Sequence, residues 1–209
     1  MNRHSTYFAT GLPVALLLAA SVLCLQGGDK KQKKGEGQDK DMPDMKAMME
    51  KMPKPGPEHA MLKRDAGTWE AEQRCFMTSD AKPMESKAVE TSSMCGDFFL
   101  EGVYKGEMGG MPFVGHQMVG YDPFKKKFVG TWHDSMGPQI MAWEGIYNEK
   151  TKTLTAMSEM TDPMNPSETV KYTMTTVWKG DDHKVFTMRE DHGGGKAWDC
   201  MVIDYKRKK

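Results

Sequence analysis

Trp132 and Asp134 stand two residues apart in a run, Phe128 to Asp134, that alternates as a strand does. An indole and a carboxylate therefore share one strand face, with Phe128 and Gly130 beside them. Turned inward, the pair could orient a ligand at the opening of a cavity. The plainer alternative makes Trp132 core packing and Asp134 the cap of the turn that follows. The same parity argument places Trp69, Tyr121 and Trp178 on inward faces, so Trp69, Tyr121, Trp132 and Trp178, with Asp134 as the polar group, form the candidate ligand-binding set.

Methionine offers a second chemistry. There are 21 in 209 residues, and adaptable core filling accounts for those in strand-like runs, such as Met174, Met188 and Met201. It does not account for Met42, Met45, Met48, Met49 and Met52, which recur at helical spacing in a polar segment. Thioether sulfur is a soft ligand that suits Cu(I), so Met42, Met45, Met49 and Met52 are the alternative metal ligands. No His or Cys accompanies them. The competing reading is a short helix over 44–52, stopped by Pro53, that packs on the domain or stays disordered.

Catalytic constellations are missing from the sequence. It contains no Ser-His-Asp ordering, no Gly-rich phosphate loop and no HExxH helix. Asp181-Asp182-His183 reads as a solvated hairpin tip, and Lys125-Lys126-Lys127 as a solvated turn. Accordingly, no catalytic residue and no cofactor are assigned, and binding is favoured over catalysis. Cys75, Cys95 and Cys200 lack CxxC spacing; one disulfide and one free thiol are expected, with the pairing open.

The elements that must position these residues follow a leader. Arg3, the apolar stretch Leu12 to Leu23 and the small residues Ala19-Ala20-Ser21 have the layout of a secretory signal over 1–24. The apolar stretch is too short for the roughly 20 residues of a membrane-spanning helix. Export to the periplasm or medium is expected, with lipidation at Cys24 and an uncleaved anchor as alternatives. Residues 25–57 hold eight Lys and six Asp/Glu among Gly and Pro, which cannot bury enough surface to order themselves. This segment is expected to be a flexible linker.

Beyond Arg3, 28 basic residues face 29 acidic ones. No basic field exists to hold nucleic acid, and a mean hydropathy of −0.64 argues against a transmembrane segment. Residues 58–209 alternate strand-like runs and turn signals: 67–76, 84–94, 97–104, 113–121, 128–134, 139–147, 153–160, 169–178, 184–191 and 197–205. Val170, Tyr172, Met174, Thr176 and Trp178 share one face; Thr169, Lys171, Thr173 and Thr175 share the other. Connections this short make antiparallel meanders. About ten such strands predict an all-β, up-and-down barrel, with a sandwich as runner-up.

The opening Gly67-x-Trp69 resembles the first strand of calycin barrels. With Pro55-Gly56-Pro57-Glu58-His59, Gly120-Tyr121-Asp122, Trp132-His133-Asp134-Ser135, Gly145-Ile146-Tyr147, Asp162-Pro163 and Tyr205-Lys206-Arg207, the chain from about Pro55 to its end resembles the bacterial family called domain of unknown function 1579. It departs from that pattern at Met164-Asn165-Pro166 and in its cysteines. The resemblance implies a calycin-like barrel and no established activity. A related calycin group, the nitrobindins, binds haem through a strand histidine, which makes His116 or His133 a candidate axial ligand. The expectation that emerges is a barrel carrying a small, partly apolar molecule, and an interior lined with charge would count against it.

Overall fold

In the computed structural model, which describes residues 44–209, ten antiparallel strands run as a single meander. They are β1 (Gly67–Cys75), β2 (Met84–Cys95), β3 (Phe99–Met108), β4 (Met111–Asp122), β5 (Lys127–Asp134), β6 (Met141–Asn148), β7 (Thr153–Thr161), β8 (Thr169–Trp178), β9 (His183–Asp191) and β10 (Ala197–Arg207). β1 pairs with both β2 and β10, which closes the sheet into a barrel. Closure leaves no unpaired edge, the physical reason a strongly twisted meander of this size curls on itself.

Period-two patterning sets the inner surface. On β8, Val170, Met174 and Trp178 are buried while Thr169 and Lys171 are exposed; β1 alternates in the same way from Trp69 to Cys75. The β3–β4 hairpin is tighter than the sequence suggests. Met108 pairs directly with Met111, and Gly109 and Gly110 both take positive φ, the backbone of a two-residue turn that matches strand twist. The strands therefore run further into KGEMGGM than expected.

Among the described residues, two helices precede the barrel. α1 (Met45–Glu50) falls within the expected 44–52 helix, with Met45, Met48, Met49 and Met52 all exposed. Met42, the leader 1–24 and Cys24 lie outside the described residues, as does most of the expected linker. α2 (Pro57–Asp65) was not expected as a helix. Its start is held by Pro57 in the first turn and by the Gly56 N–H donating to His59 Nδ1 at 2.9 Å. Its inner face buries His59 and Leu62, and it contacts β2, β3 and β4, so α2 plugs one end of the barrel. No helix among the described residues is long and apolar enough to cross a membrane.

The expected disulfide is not formed: Cys75, Cys95 and Cys200 are all free. Cys95 ends β2 at the plugged end and is exposed, whereas Cys75 ends β1 at the opposite end. Cys200 sits at a bulge in β10, where its Sγ donates to the Met188 carbonyl at 3.3 Å.

Candidate functional site

Inside the barrel is a cavity of about 460 Å³, running from α2 at one end to the loop 135–140 at the other. Its walls are mainly apolar. Eight methionines line it, among them Met141, Met160, Met174, Met188 and Met201. Much of the methionine excess is thus spent on the cavity, where a flexible thioether fills irregular space. Near the loop end, Tyr104, Phe113 and Trp132 form an aromatic cluster. Phe113 and Trp132 stack at 6.4 Å, and Tyr104 meets both edge-on.

Trp132 and Asp134 do face this space together. Trp132 Nε1 donates to Asp134 Oδ2 at 2.8 Å, and Asp134 Oδ1 accepts from the Met136 N–H at 2.8 Å. The two readings of the pair therefore coexist, since Asp134 caps the turn and also presents its carboxylate to the cavity. The indole lies where a side chain at Gly115 would be: a Cβ there would stand 2.2 Å from Trp132 Cζ2. Trp178 lines the other end, and its Nε1 donates to Asp65 Oδ1 at 3.0 Å.

Trp69 and Tyr121 are placed elsewhere. Trp69 is fully buried beside the cavity, sandwiched between Lys184 Nζ at 4.5 Å and the Arg207 guanidinium at 4.1 Å from its ring centre. It is a structural pillar and does not line the cavity. Tyr121 stands beneath α2, edge-on to His59 and Phe128. Parity put both on the inner face correctly, but α2 and the floor of the cavity occupy the space in front of them.

That floor was not anticipated. Lys184, almost wholly buried, donates to Asp65 at 2.8 Å and to Glu90 at 3.3 Å, with Tyr205 4.8 Å from its ammonium. Burial alone would lower the Lys184 pKa, but the Glu90 and Asp65 carboxylates more than offset this, and the net direction is up. Ser92 donates to Glu90, and the Tyr104 hydroxyl donates to Gln73 at 2.7 Å. A charged residue within a strand ordinarily reads as solvent-facing, so Glu90 and Lys184 passed unmarked. The available signal was parity: Glu90 alternates with Ala88 and Ser92, and Lys184 with Phe186 and Met188. Charge is confined to this floor and to Asp134, so the interior is not the charged lining that would exclude an apolar ligand.

The haem expectation fails for both histidines. His116 and His133 are cross-strand partners on the outer face, exposed, with rings stacked at 5.2 Å. His133 follows Trp132 directly and so faces the opposite way, and His116, its cross-strand partner, shares that outer face. No cluster of three or more His, Cys, Asp or Glu residues suited to a metal occurs among the described residues. Asp182 of the hairpin tip pairs with Arg207, and His183 with Asp204 at 2.9 Å.

Comparison with solved structures places the barrel among known folds. The crystal structure of Rv2717c from M. tuberculosis is similar at a TM-score of 0.54 and 11% identity, covering 75% of this chain and 100% of that one. The S-type phycobiliprotein lyase CPES from Guillardia theta is similar at a TM-score of 0.50 and 11% identity, covering 80% and 99%. At such identity the likeness concerns the fold alone. Among curated proteins none matches the sequence. The family described as "Protein of unknown function (DUF1579)" matches residues 54–207, from just before α2 to the last residue of β10, and the chain belongs to that family.

Proposed function

We propose that this protein binds a small, partly apolar molecule inside its barrel, and that it does so after export. The observation that carries the reading is the cavity: about 460 Å³ within a closed barrel, walled by methionine and aromatic side chains, with a few polar groups at its two ends. Ligand sites have this size and this division between apolar walls and sparse orienting groups. Trp132 and Asp134 would meet the ligand at the loop end, and Trp178 with the Asp65–Lys184–Glu90 floor at the other. Trp69 and Tyr121 would support the site without touching the ligand.

Indole fluorescence tests this directly, because Trp132, Trp143 and Trp178 line the cavity. Titration with a panel of fatty acids, isoprenoids and polycyclic aromatics should perturb emission for at least one class. Ala156→Phe should abolish the response, because Ala156 lines the cavity wall and the larger ring would fill the space. If the whole panel leaves emission unchanged, the carrier reading fails.

A further inference from the structure

Resting on the carrier reading of the cavity, we propose that the ligand is a cation: a flat aromatic or conjugated body bearing an ammonium or amidinium group. The charges on the cavity lining are Asp65, Glu90, Asp134 and Lys184. One ammonium thus serves two carboxylates at the floor, which holds a net single negative charge with both ionised. Asp134 adds a further carboxylate at the other end, and its two contacts, the Trp132 indole and the Met136 N–H, are neutral donors with no cation among them. The chain as a whole is formally neutral, with 29 basic and 29 acidic residues. The acidic excess is therefore a local property of the cavity, where low-dielectric walls concentrate the field.

The walls suit the same ligand. Lys184 already shows how a cation sits here, 4.5 Å from the Trp69 ring centre and 4.8 Å from that of Tyr205. Further π faces line the cavity at Tyr104, Phe113, Trp132, Trp178 and Phe186, and a desolvated cation gains from such faces. The eight lining methionines are polarizable and favour contact with aromatic ring edges. An anionic lipid of equal apolar surface would meet the same walls but oppose the field.

Three pyrene derivatives with a common body separate charge from apolar burial: 1-pyrenemethylammonium, 1-pyrenemethanol and 1-pyrenecarboxylate, each titrated into the protein by fluorescence. The ammonium should bind about ten-fold more tightly than the alcohol, and the carboxylate about ten-fold more weakly. Glu90→Gln should reduce the ammonium's advantage while preserving affinity for the alcohol. Asp134→Asn, at the opposite end of the cavity and clear of the buried floor, should reduce it as well and serves if the floor variant does not fold. Equal affinity for all three, or preference for the carboxylate, overturns the cation assignment and leaves the carrier reading standing. An ammonium advantage that persists in Ala156→Phe arises on the outer surface and overturns it too. If none of the three binds while a fatty acid or isoprenoid does, the aromatic cation is again wrong; if nothing binds, the carrier reading falls with it.

Discussion

Asp65 joins three strands from the last residue of α2. Its carbonyl accepts from the Trp69 indole on β1 at 3.0 Å, Oδ1 from the Trp178 indole on β8, and Oδ2 from Lys184 on β9. Removing the ammonium would leave Asp65 and Glu90 facing each other, buried and uncompensated. Lys184→Met is therefore expected to cost about 3–5 kcal/mol in urea unfolding. Replacing all three together, with Asp65→Asn and Glu90→Gln, should recover much of that loss, because the penalty comes from the orphaned charges. A triple variant as unstable as the single one would contradict this account. The thiols separate equally clearly. Cys95 is exposed, whereas burial holds the Cys200 thiol up at about 12 and also raises that of Cys75. Peptide mapping after brief iodoacetamide treatment at pH 8 should find Cys95 alkylated, and Cys75 and Cys200 largely unmodified. At this scale the sequence disclosed the Trp132–Asp134 pair, since two residues on one strand share a face whatever surrounds them. It did not disclose Asp65, whose role depends on partners 113 and 119 residues away.

The strands were legible almost to their ends, and α2 was not. A strand announces itself by period two, and β8 was read over its full span, Thr169 to Trp178. A nine-residue helix has too few turns to show a periodic face and little stability of its own, so it forms because the barrel gives it somewhere to pack. Its hold depends on Leu62, which is 3% exposed against the apolar group that includes Leu100 and Trp178. Leu62→Ala is expected to cost about 2–5 kcal/mol in chemical denaturation. It should also speed amide exchange in α2 more than in β8, and equal changes in both elements would mean that α2 is not a separable plug. Close approach between strands is the other feature specific to this barrel. Gly115 faces the Trp132 ring, and Gly130 lies opposite Trp143, where a Cβ would stand 2.3 Å from Trp143 Cζ2. Gly115→Ala should displace the Trp132 indole, seen as a shifted emission maximum, and cost about 1–3 kcal/mol.

Closure belongs to the whole molecule, because β1 meets β10 only after the full chain has been laid down. It encloses a set of groups that all resist losing a proton. Burial is the leading cause for the phenols: Tyr205, buried beside Glu90, is raised well above 10.0, Tyr104 is raised as well, and Tyr172 is pushed up to about 12. Cys200 rises from 9.0 to about 12 for the same reason, and Lys184 moves up from 10.5 as its two carboxylates outweigh burial. In every case the folded protein holds the proton more tightly than the unfolded chain does. The stability from this difference is complete below the unfolded values, near 9 to 10.5, and is lost as pH rises through the folded ones. Each such group steepens the loss by up to about 1.4 kcal/mol per pH unit. The acid side offers less, since Glu144, held down at about 2 by hydrogen bonds from Lys125 and Lys127, lies on the exposed outer face. Its contribution is present above 4.5 and fades as pH falls toward 2. Thermal unfolding followed by circular dichroism should therefore show a melting temperature that declines from about pH 9 and falls steeply by pH 11. Tyr205→Phe, which removes one of these buried protons, should make that decline shallower. A melting temperature constant from pH 7 to 11 would mean that the enclosed phenols, thiol and ammonium titrate as freely in the folded barrel as in the open chain.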